Sequence, residues 1–206
     1  MTERTLLIDT SVRGLALWIL DLEQKKIIGK KILTEQSSAS HFIGDAIVEL
    51  CAENATSVGD FNSAICAVGP GSFTGIRIGL SFLYGLTATD SNFKFYSYSL
   101  VTEYARLVGK TVCLSSTKDK GFLAHPNGAL ELVNVDKILN LDHCIVVSPW
   151  DHAVGLLQNQ KIQFEEISLL EVLTKVWNDF ETRKSHFSSE KPVAQYLRQS
   201  SAEENR

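Results

Sequence analysis

The stretch AICAVGPGSFTGIRIG, residues 64–79, constrains the fold of this chain more than any other segment. Its first five residues form an apolar run of strand length, and Gly69-Pro70-Gly71 then forces a turn. Ser72 and Thr74 offer hydroxyl groups that could cap free backbone amides, and the pattern over residues 74–88 predicts a helix. The sequence therefore predicts a strand, a tight glycine turn and a helix in immediate succession.

The glycine turn has two interpretations. Backbone N–H groups at a junction of strand, turn and helix can face an anion, so Gly71 and Ser72 could lie close to a nucleotide phosphate. Alternatively, the glycines only allow the helix to begin close against a sheet. The stretch is not a Walker A motif, because Ile76-Arg77 follows Gly75 where that motif has a lysine. Both interpretations stay open on the sequence alone.

The predicted helix over residues 74–88 is apolar or small on nearly every side. Its only charged residue is Arg77, in the first turn. A helix of this kind is buried on more than one side, so we expect one side to face the sheet and another to face a second protein. Its glycines have no side chains, so another backbone could approach this helix closely at those positions. The candidate partner-contact residues on this helix are Gly75, Arg77, Ile78, Gly79, Phe82 and Gly85.

Composition excludes several classes of function. The 206 residues fit one large domain or two small ones, and a net charge of −4 argues against broad electrostatic adhesion to nucleic acid or anionic membrane. No apolar run is long enough to span a bilayer, and the first residues lead into a strand without a secretory signal. The four cysteines form no CxxC pair, which favours reduced, buried thiols in a cytoplasmic protein.

The first half of the chain has the predicted order β-β-β-α-β-α-β. Three strands over residues 5–10, 14–21 and 25–33 suggest an antiparallel meander, and a helix over residues 37–53 follows. Together with a strand at residues 93–97, this order indicates a mixed sheet with helices packed on it. From residue 99 the pattern restarts, with helices at residues 99–108 and 168–180 and strands at residues 110–115, 121–125, 129–133 and 143–148. This second half is too short for a full repeat of the first.

Two polar residues near the ends of predicted elements are candidates for chemistry. Asp9, at the end of the first strand, could hold a metal–phosphate or position a water, or it could cap the turn at Ser11. His41 has no second histidine at the spacing of a metal site, so a surface or interface position is the simpler interpretation. The sequence contains no G-x-S-x-G nucleophile elbow, and its spacing assembles no Ser–His–Asp set.

Three of these segments resemble one family. Leu7-Ile8-Asp9-Thr10-Ser11, the helix beginning near His41 and, above all, the run GPGSFTGIRIG at residues 69–79 are similar to TsaB (YeaZ) proteins. These are the bacterial partner subunits in threonylcarbamoyladenosine synthesis on tRNA. The end of the chain, Pro192 followed by Tyr196-Leu197-Arg198, resembles the terminal segment of that family. The likeness is strong over residues 5–88 and weak over residues 99–190.

The resemblance implies an α/β fold of the ASKHA (actin-like ATPase and Hsp70-like) class. Residues 1–98 would form a ribonuclease-H-like domain with the docking helices, and residues 99–206 a reduced, degenerate second domain with the C-terminal tail. It also implies a non-catalytic subunit for tRNA modification, which binds the catalytic paralogue TsaD and forms a homodimer without it. With the ATPase TsaE, the assembly would modify adenosine 37 of tRNA. ATP, ADP and metal would then be bound by partner subunits, and tRNA contacted only through the complex.

The resemblance also implies which residues make the contacts. The first two helices would dock on TsaD, which adds His41 and Phe42 to the partner-contact residues. Four residues would lie near a nucleotide pocket closed at that joint, namely Asp9, Ser11, Gly71 and Ser72. One departure concerns the second half, where Ser116-Thr117-Lys118 stands in place of an Asp-Ala-Arg segment, so its acid is lost.

Two rival functions follow from the wider family. Asp9 and the glycine turn motivate a self-sufficient ASKHA-type ATPase or kinase-like enzyme, and the missing phosphate-handling charges count against it. A peptidase follows only from a historical label, and nothing in the sequence supplies metal ligands for one.

Overall fold

The structure, a computed structural model, describes residues 4–11, 14–24, 26–33, 39–88, 91–115, 120–141, 143–148, 164–168, 171–172, 175–176 and 192–194. The chain divides into two compact units, and the boundary falls after Tyr98. The first unit contains Met1–Tyr98 and Glu181–Gln195, and the second contains Ser99–Phe180 and Tyr196–Arg206. The described residues 192–194 therefore belong to the first unit, whereas the sequence prediction placed all of residues 99–206 in the second.

The first unit is built on a five-stranded mixed sheet. The strands are β1 (Arg4–Asp9), β2 (Leu15–Asp21), β3 (Lys26–Leu33), β4 (Phe61–Ala67) and β5 (Lys94–Tyr98), in the order β3-β2-β1-β4-β5. The first three strands pair antiparallel, and β1, β4 and β5 pair parallel. These pairings confirm the predicted meander and mixed sheet. The strands β4 and β5 each follow a crossover connection that contains a helix, as parallel pairing generally requires.

Two helices cover this sheet. They are α1 (Ala39–Glu53) and α2 (Phe73–Leu86), and a short 3-10 turn at Val58–Asp60 precedes β4. Leu6 and Leu17 of the sheet, Ile47 of α1 and Leu83 of α2 are almost wholly buried in one apolar cluster. Burial of such side chains is worth about 1.5–3 kcal/mol each, so this cluster fixes both helices on the sheet.

The second unit repeats the strand order of the first. Its sheet consists of β6 (Val112–Ser115), β7 (Lys120–Ala124), β8 (Leu130–Asn134), β9 (Cys144–Ser148) and β10 (Phe164–Ser168), in the order β10-β9-β6-β7-β8. Again three strands pair antiparallel and the last two join in parallel. Two halves of one topology are what an ASKHA fold requires, so the predicted fold class is confirmed.

Within the described residues, the second half differs from the first in the helix that follows its third strand. Between the third and fourth strands, α4 (Val135–Leu139) has 5 residues where α1 has 15. The helix α3 (Leu100–Val108) agrees with its prediction, whereas β10 was not predicted. The predicted helix over residues 168–180 begins too early, since Ser168 ends β10. Residues 171–172 and 175–176 are helical, and the rest of that prediction lies outside the described residues.

All four cysteines are free and buried, as the sequence predicts. None of the helices in the described part of the chain has the length and apolar character that crossing a membrane requires.

Candidate functional site

Asp9 lies at the carboxyl end of β1 and is fully buried. Its Oδ1 atom accepts hydrogen bonds from the Ser11 amide (2.8 Å) and the Ser11 hydroxyl (2.7 Å). Its Oδ2 atom accepts one from the hydroxyl of Tyr98 at 2.7 Å. Asp9 therefore caps the turn at Ser11, which was one of its two interpretations, and it also links β1 to the end of β5.

Burial raises the pKa of Asp9, because a charged carboxylate is poorly solvated in the interior. The hydrogen bonds from Tyr98 and Ser11 lower that pKa and offset part of the rise. The net result is a carboxyl group whose pKa stands above its ordinary value. Its two oxygens are already engaged by neighbours within the unit.

The glycine turn packs directly on the residues that follow β1. A Cβ atom on Gly71, where φ is 158°, would lie 1.9 Å from the carbonyl oxygen of Ser11. That same oxygen accepts a hydrogen bond from the Ser72 amide at 2.5 Å. The Ser72 hydroxyl in turn accepts from the Gly75 amide at 3.1 Å, so Ser72 is the N-cap of α2 as predicted. Two amides that could face an anion are therefore bonded within the chain.

The structure brings all four candidate nucleotide-proximal residues together. Asp9 and Ser11 are joined by hydrogen bonds, and Ser72 bonds to Ser11 across the glycine turn at Gly71. The geometry matches the interpretation in which the glycines let a helix begin close against a sheet.

Two glycines of α2 face inward, which corrects their predicted role. A Cβ on Gly75 would lie 1.9 Å from the carbonyl oxygen of Thr10, and one on Gly79 would lie 2.4 Å from Thr10 Oγ1. The neighbour of both glycines is thus Thr10, the residue that follows β1 in the same unit, through its backbone at Gly75 and its side chain at Gly79. Gly85 differs, since it is exposed and a Cβ there would meet nothing within 4 Å.

A groove of about 520 Å³ runs along the outer side of α2. Its lining is mostly apolar and consists of Ile43 from α1 and Phe73, Thr74, Arg77, Ile78, Ser81 and Phe82 from α2. The guanidinium carbon of Arg77 lies 4.0 Å from the centre of the Phe73 ring, a cation–π contact that orients the side chain. Three of the predicted partner-contact residues, Arg77, Ile78 and Phe82, are therefore neighbours in one groove.

The apolar surface continues onto α1. The ring of Phe82 lies close to Gly44, where a Cβ would be 3.8 Å from Cε2. Val48 is one turn further along α1 and is 60% exposed. Phe42, a predicted contact residue, is 42% exposed, and His41 lies in α1 with its side chain outside the described residues. Sequence reasoning missed Val48, although an apolar residue off the buried stripe of α1 is a usable signal.

Among the described residues, no three His, Cys, Asp or Glu side chains converge on a point where they could hold a metal ion. Ser116-Thr117-Lys118 and Tyr196-Leu197-Arg198, which carry the departure and the terminal resemblance, lie outside the described residues.

No protein-family model matches this chain, and no curated protein matches it significantly in sequence. Solved structures do match. One is a protein described as similar to peptidase YeaZ from Pseudomonas aeruginosa, with a TM-score of 0.72 and 15% identity. Another is YeaZ from Pseudomonas aeruginosa, with a TM-score of 0.69 and 14% identity. Each match covers 95% of this chain and 100% of the other.

This chain has the fold of YeaZ. The likeness runs over both units, since nearly the whole of this chain and the whole of each YeaZ-type chain are covered. A protein from Bacteroides thetaiotaomicron with an actin-like ATPase fold and unknown function is more distant. Its TM-score is 0.44 at 9% identity, over 85% of this chain and 96% of that one.

Proposed function

We propose that this chain is a TsaB (YeaZ)-type, non-catalytic subunit of the machinery that makes threonylcarbamoyladenosine at position 37 of tRNA. It would be cytoplasmic and would bind and support the catalytic paralogue TsaD. The observation that carries the proposal is the apolar groove along α2, which continues onto exposed apolar side chains of α1. The YeaZ fold supports the choice of family.

The chemistry of the groove favours a protein partner. Apolar side chains line most of it, and the only charge on α2 is Arg77. Covering such an apolar surface with a second one is favourable, because each Å² removed from water stabilises the complex by about 25 cal/mol. An apolar patch with few charges is typical of the centre of a protein–protein interface. In the absence of TsaD, a second copy of this chain would cover the same surface.

Asp9 supports a non-catalytic role. A catalytic carboxylate must reach its substrate, whereas the Asp9 side chain is enclosed and its oxygens accept bonds from Ser11 and Tyr98. In this proposal the chain binds no cofactor alone. ATP or ADP and metal belong to TsaD and the ATPase TsaE, and tRNA reaches the chain only through the complex.

Co-expression with TsaD followed by size-exclusion chromatography tests the proposal. Ser81 is exposed and lines the groove, so Ser81→Arg would place a long cation on the docking surface without filling the core. We expect the variant to fold and its affinity for TsaD to fall by roughly a hundredfold or more, because the new charge would be buried unpaired.

Gln24→Arg is the matched control, since it adds the same charge at an exposed position. Gln24 lies in the turn after β2, next to Asp21, and Asp21 is opposite Arg4 at the start of β1 in the sheet. The helix α2 begins at the other end of β1, beside Ser11. The control position is therefore at the opposite end of β1 from the start of α2. The control should co-elute with TsaD as the unmodified chain does. Equal co-elution of both variants would place the docking surface elsewhere, and failure of the unmodified chain to bind TsaD would remove the proposed function.

A further inference from the structure

Residues 192–194, here called the tail segment, lie against the first unit. Pro192 is buried, and its carbonyl oxygen accepts a hydrogen bond from the hydroxyl of Tyr84. Ala194 packs against the apolar core of this unit, whereas Val193 between them is 75% exposed. Side chains that alternate between inward and outward positions indicate an extended segment laid along a surface.

Tyr84 joins the tail segment to two elements of the unit. It belongs to the last turn of α2, and its ring meets Phe95 of β5 edge-on, with centroids 6.3 Å apart and planes at 71°. The Phe95 ring lies 5.3 Å from that of Phe93, just before β5. Among the described strands β5 forms one edge of the sheet. The tail segment therefore contacts the place where the end of α2 meets that edge.

The same turn of α2 carries part of the groove. Tyr84 follows Ser81, a groove residue, by three positions, so the two side chains lie on neighbouring parts of the helix surface. The Tyr84 hydroxyl donates to Pro192 and is protonated at neutral pH, since the ordinary pKa of a tyrosine is 10.0 and burial raises the pKa of Tyr84 further. The hydrogen bond to Pro192 thus acts on the helix turn that also borders the groove, and the packing of Ala194 against the apolar core keeps the tail segment in place beside it.

We infer that the tail segment is a strap that holds the last turns of α2, so that the groove is fully formed only when the strap is seated. A contact made by residues distant in sequence can be released without unfolding the sheet, and local opening of this kind needs less free energy than global unfolding. The strap itself concerns this chain alone. Its consequence, control of partner affinity, rests on the proposed function.

Hydrogen exchange of the amides in the second half of α2 tests the strap in the isolated full chain. Ala194→Arg would force a long cation between the tail segment and the core, and we expect those amides to exchange roughly tenfold faster. Val193→Arg is the matched control, because it introduces the same side chain at the adjacent, outward-facing position. It should leave the exchange rates unchanged. Tyr84→Phe removes only the hydroxyl and should give a smaller increase in the same amides.

Two measurements separate the strap from the proposed function. If Ala194→Arg and Tyr84→Phe leave exchange in α2 at the rate of Val193→Arg, the strap is wrong, whatever TsaD does. If exchange rises as expected, titration with TsaD should show about tenfold weaker binding for Ala194→Arg than for Val193→Arg. Equal affinities would overturn the coupling to the groove. Absence of TsaD binding by the unmodified chain would instead reject the proposed function and leave the exchange result to decide the strap.

Discussion

The hydroxyl of Thr10 occupies the space in which a side chain on Gly79 would begin, 2.4 Å from the ideal Cβ position. The same hydroxyl donates a hydrogen bond to the carbonyl oxygen of Gly75 at 2.7 Å. The end of β1 and the first turns of α2 are therefore in direct contact, and this contact requires glycine on the helix.

Gly79→Ala should destabilise the first unit. The new methyl group would collide with the Thr10 hydroxyl and push α2 away from β1, and overpacking of this kind costs about 1–3 kcal/mol. Gly85→Ala is the control on the same helix, because its methyl group would meet nothing within 4 Å. It should stabilise by about 0.5–1 kcal/mol through helix propensity. Urea denaturation measures both free energies of unfolding, and a shift of the same sign in the two variants would contradict this account.

The contact between Thr10 and Gly79 shows what a sequence pattern can and cannot predict about α2. The spacing of Ile76, Leu80 and Leu83 predicts a helix with one side against the sheet, and the structure confirms that these three residues are buried. The expected burial of a second side by another protein stays a prediction. The small residues also stand out in the sequence. The residue that contacts them cannot be identified from the local sequence. Thr10 contacts Gly79 only because the segment after β1, more than 60 residues earlier in the chain, packs against α2 in the folded unit. The sequence therefore located the small residues of α2 but assigned Gly75 and Gly79 to a partner, whereas both meet Thr10 of the same unit.

Two further features, the strand β10 and the contact between Pro192 and Tyr84, were not predicted from the sequence, also for physical reasons. The strand β10 (Phe164–Ser168) contains Glu165 and Glu166 in succession, so neither alternation nor an apolar run marks it, and parallel pairing with β9 creates it. The contact between Pro192 and Tyr84 joins positions 108 residues apart, which no local pattern reports. Elements with strong local signals were predicted well, as the meander of β1, β2 and β3 shows.

The buried carboxyl of Asp9 should make stability fall as the pH rises. Because its folded pKa lies above the ordinary value of 3.8, the native state binds more protons than the unfolded state in the window above that value. The stabilising contribution of protonated Asp9 is fully present below 3.8 and is lost as the pH rises through the folded pKa. Asp9→Asn removes this titration and can still accept from Ser11. We expect the unmodified chain to lose stability relative to the variant as the pH rises above 3.8, until it has passed the folded pKa.

Denaturation of both proteins at a series of pH values measures the difference, in which the titration of all other groups cancels. Tyr98→Phe serves as a second variant, since it removes one bond that stabilises the charged form. It should raise the pKa of Asp9 further and extend the pH window upward. A difference between the unmodified chain and Asp9→Asn that stays constant with pH would show that Asp9 is charged throughout.

The cysteine thiols should be unreactive in the native chain. Burial raises the pKa of Cys113 to about 12 and also raises those of Cys51, Cys66 and Cys144. The thiolate is the reactive species, so both protonation and lack of access protect these side chains. With an aromatic disulfide reagent we expect no thiol to react at neutral pH until denaturant is added, when all four should react. Rapid reaction of one thiol without denaturant would show that the helix or strand that carries it opens.

The isolated chain should not bind ATP–Mg as an enzyme of this fold class would. A phosphate at the glycine turn would need amides of the α2 N-terminus, yet the Ser72 amide donates to Ser11 and the Gly75 amide donates to the Ser72 hydroxyl. A phosphate that used the Ser72 amide would have to replace its hydrogen bond to the Ser11 carbonyl oxygen, which lies 1.9 Å from the position of a Cβ on Gly71. Titration calorimetry should therefore give no saturable heat with the chain alone.

Gly71→Ala provides the complementary variant, because it disturbs the turn at the atom where Ser11 approaches. We expect it to lower stability by about 1–3 kcal/mol and to leave the calorimetric trace flat. Saturable binding by the unmodified chain, accompanied by release of phosphate and lost in this variant, would favour the self-sufficient ATPase over the subunit. Binding that arises only after TsaD is added would place the nucleotide with the partner, as the proposed function requires.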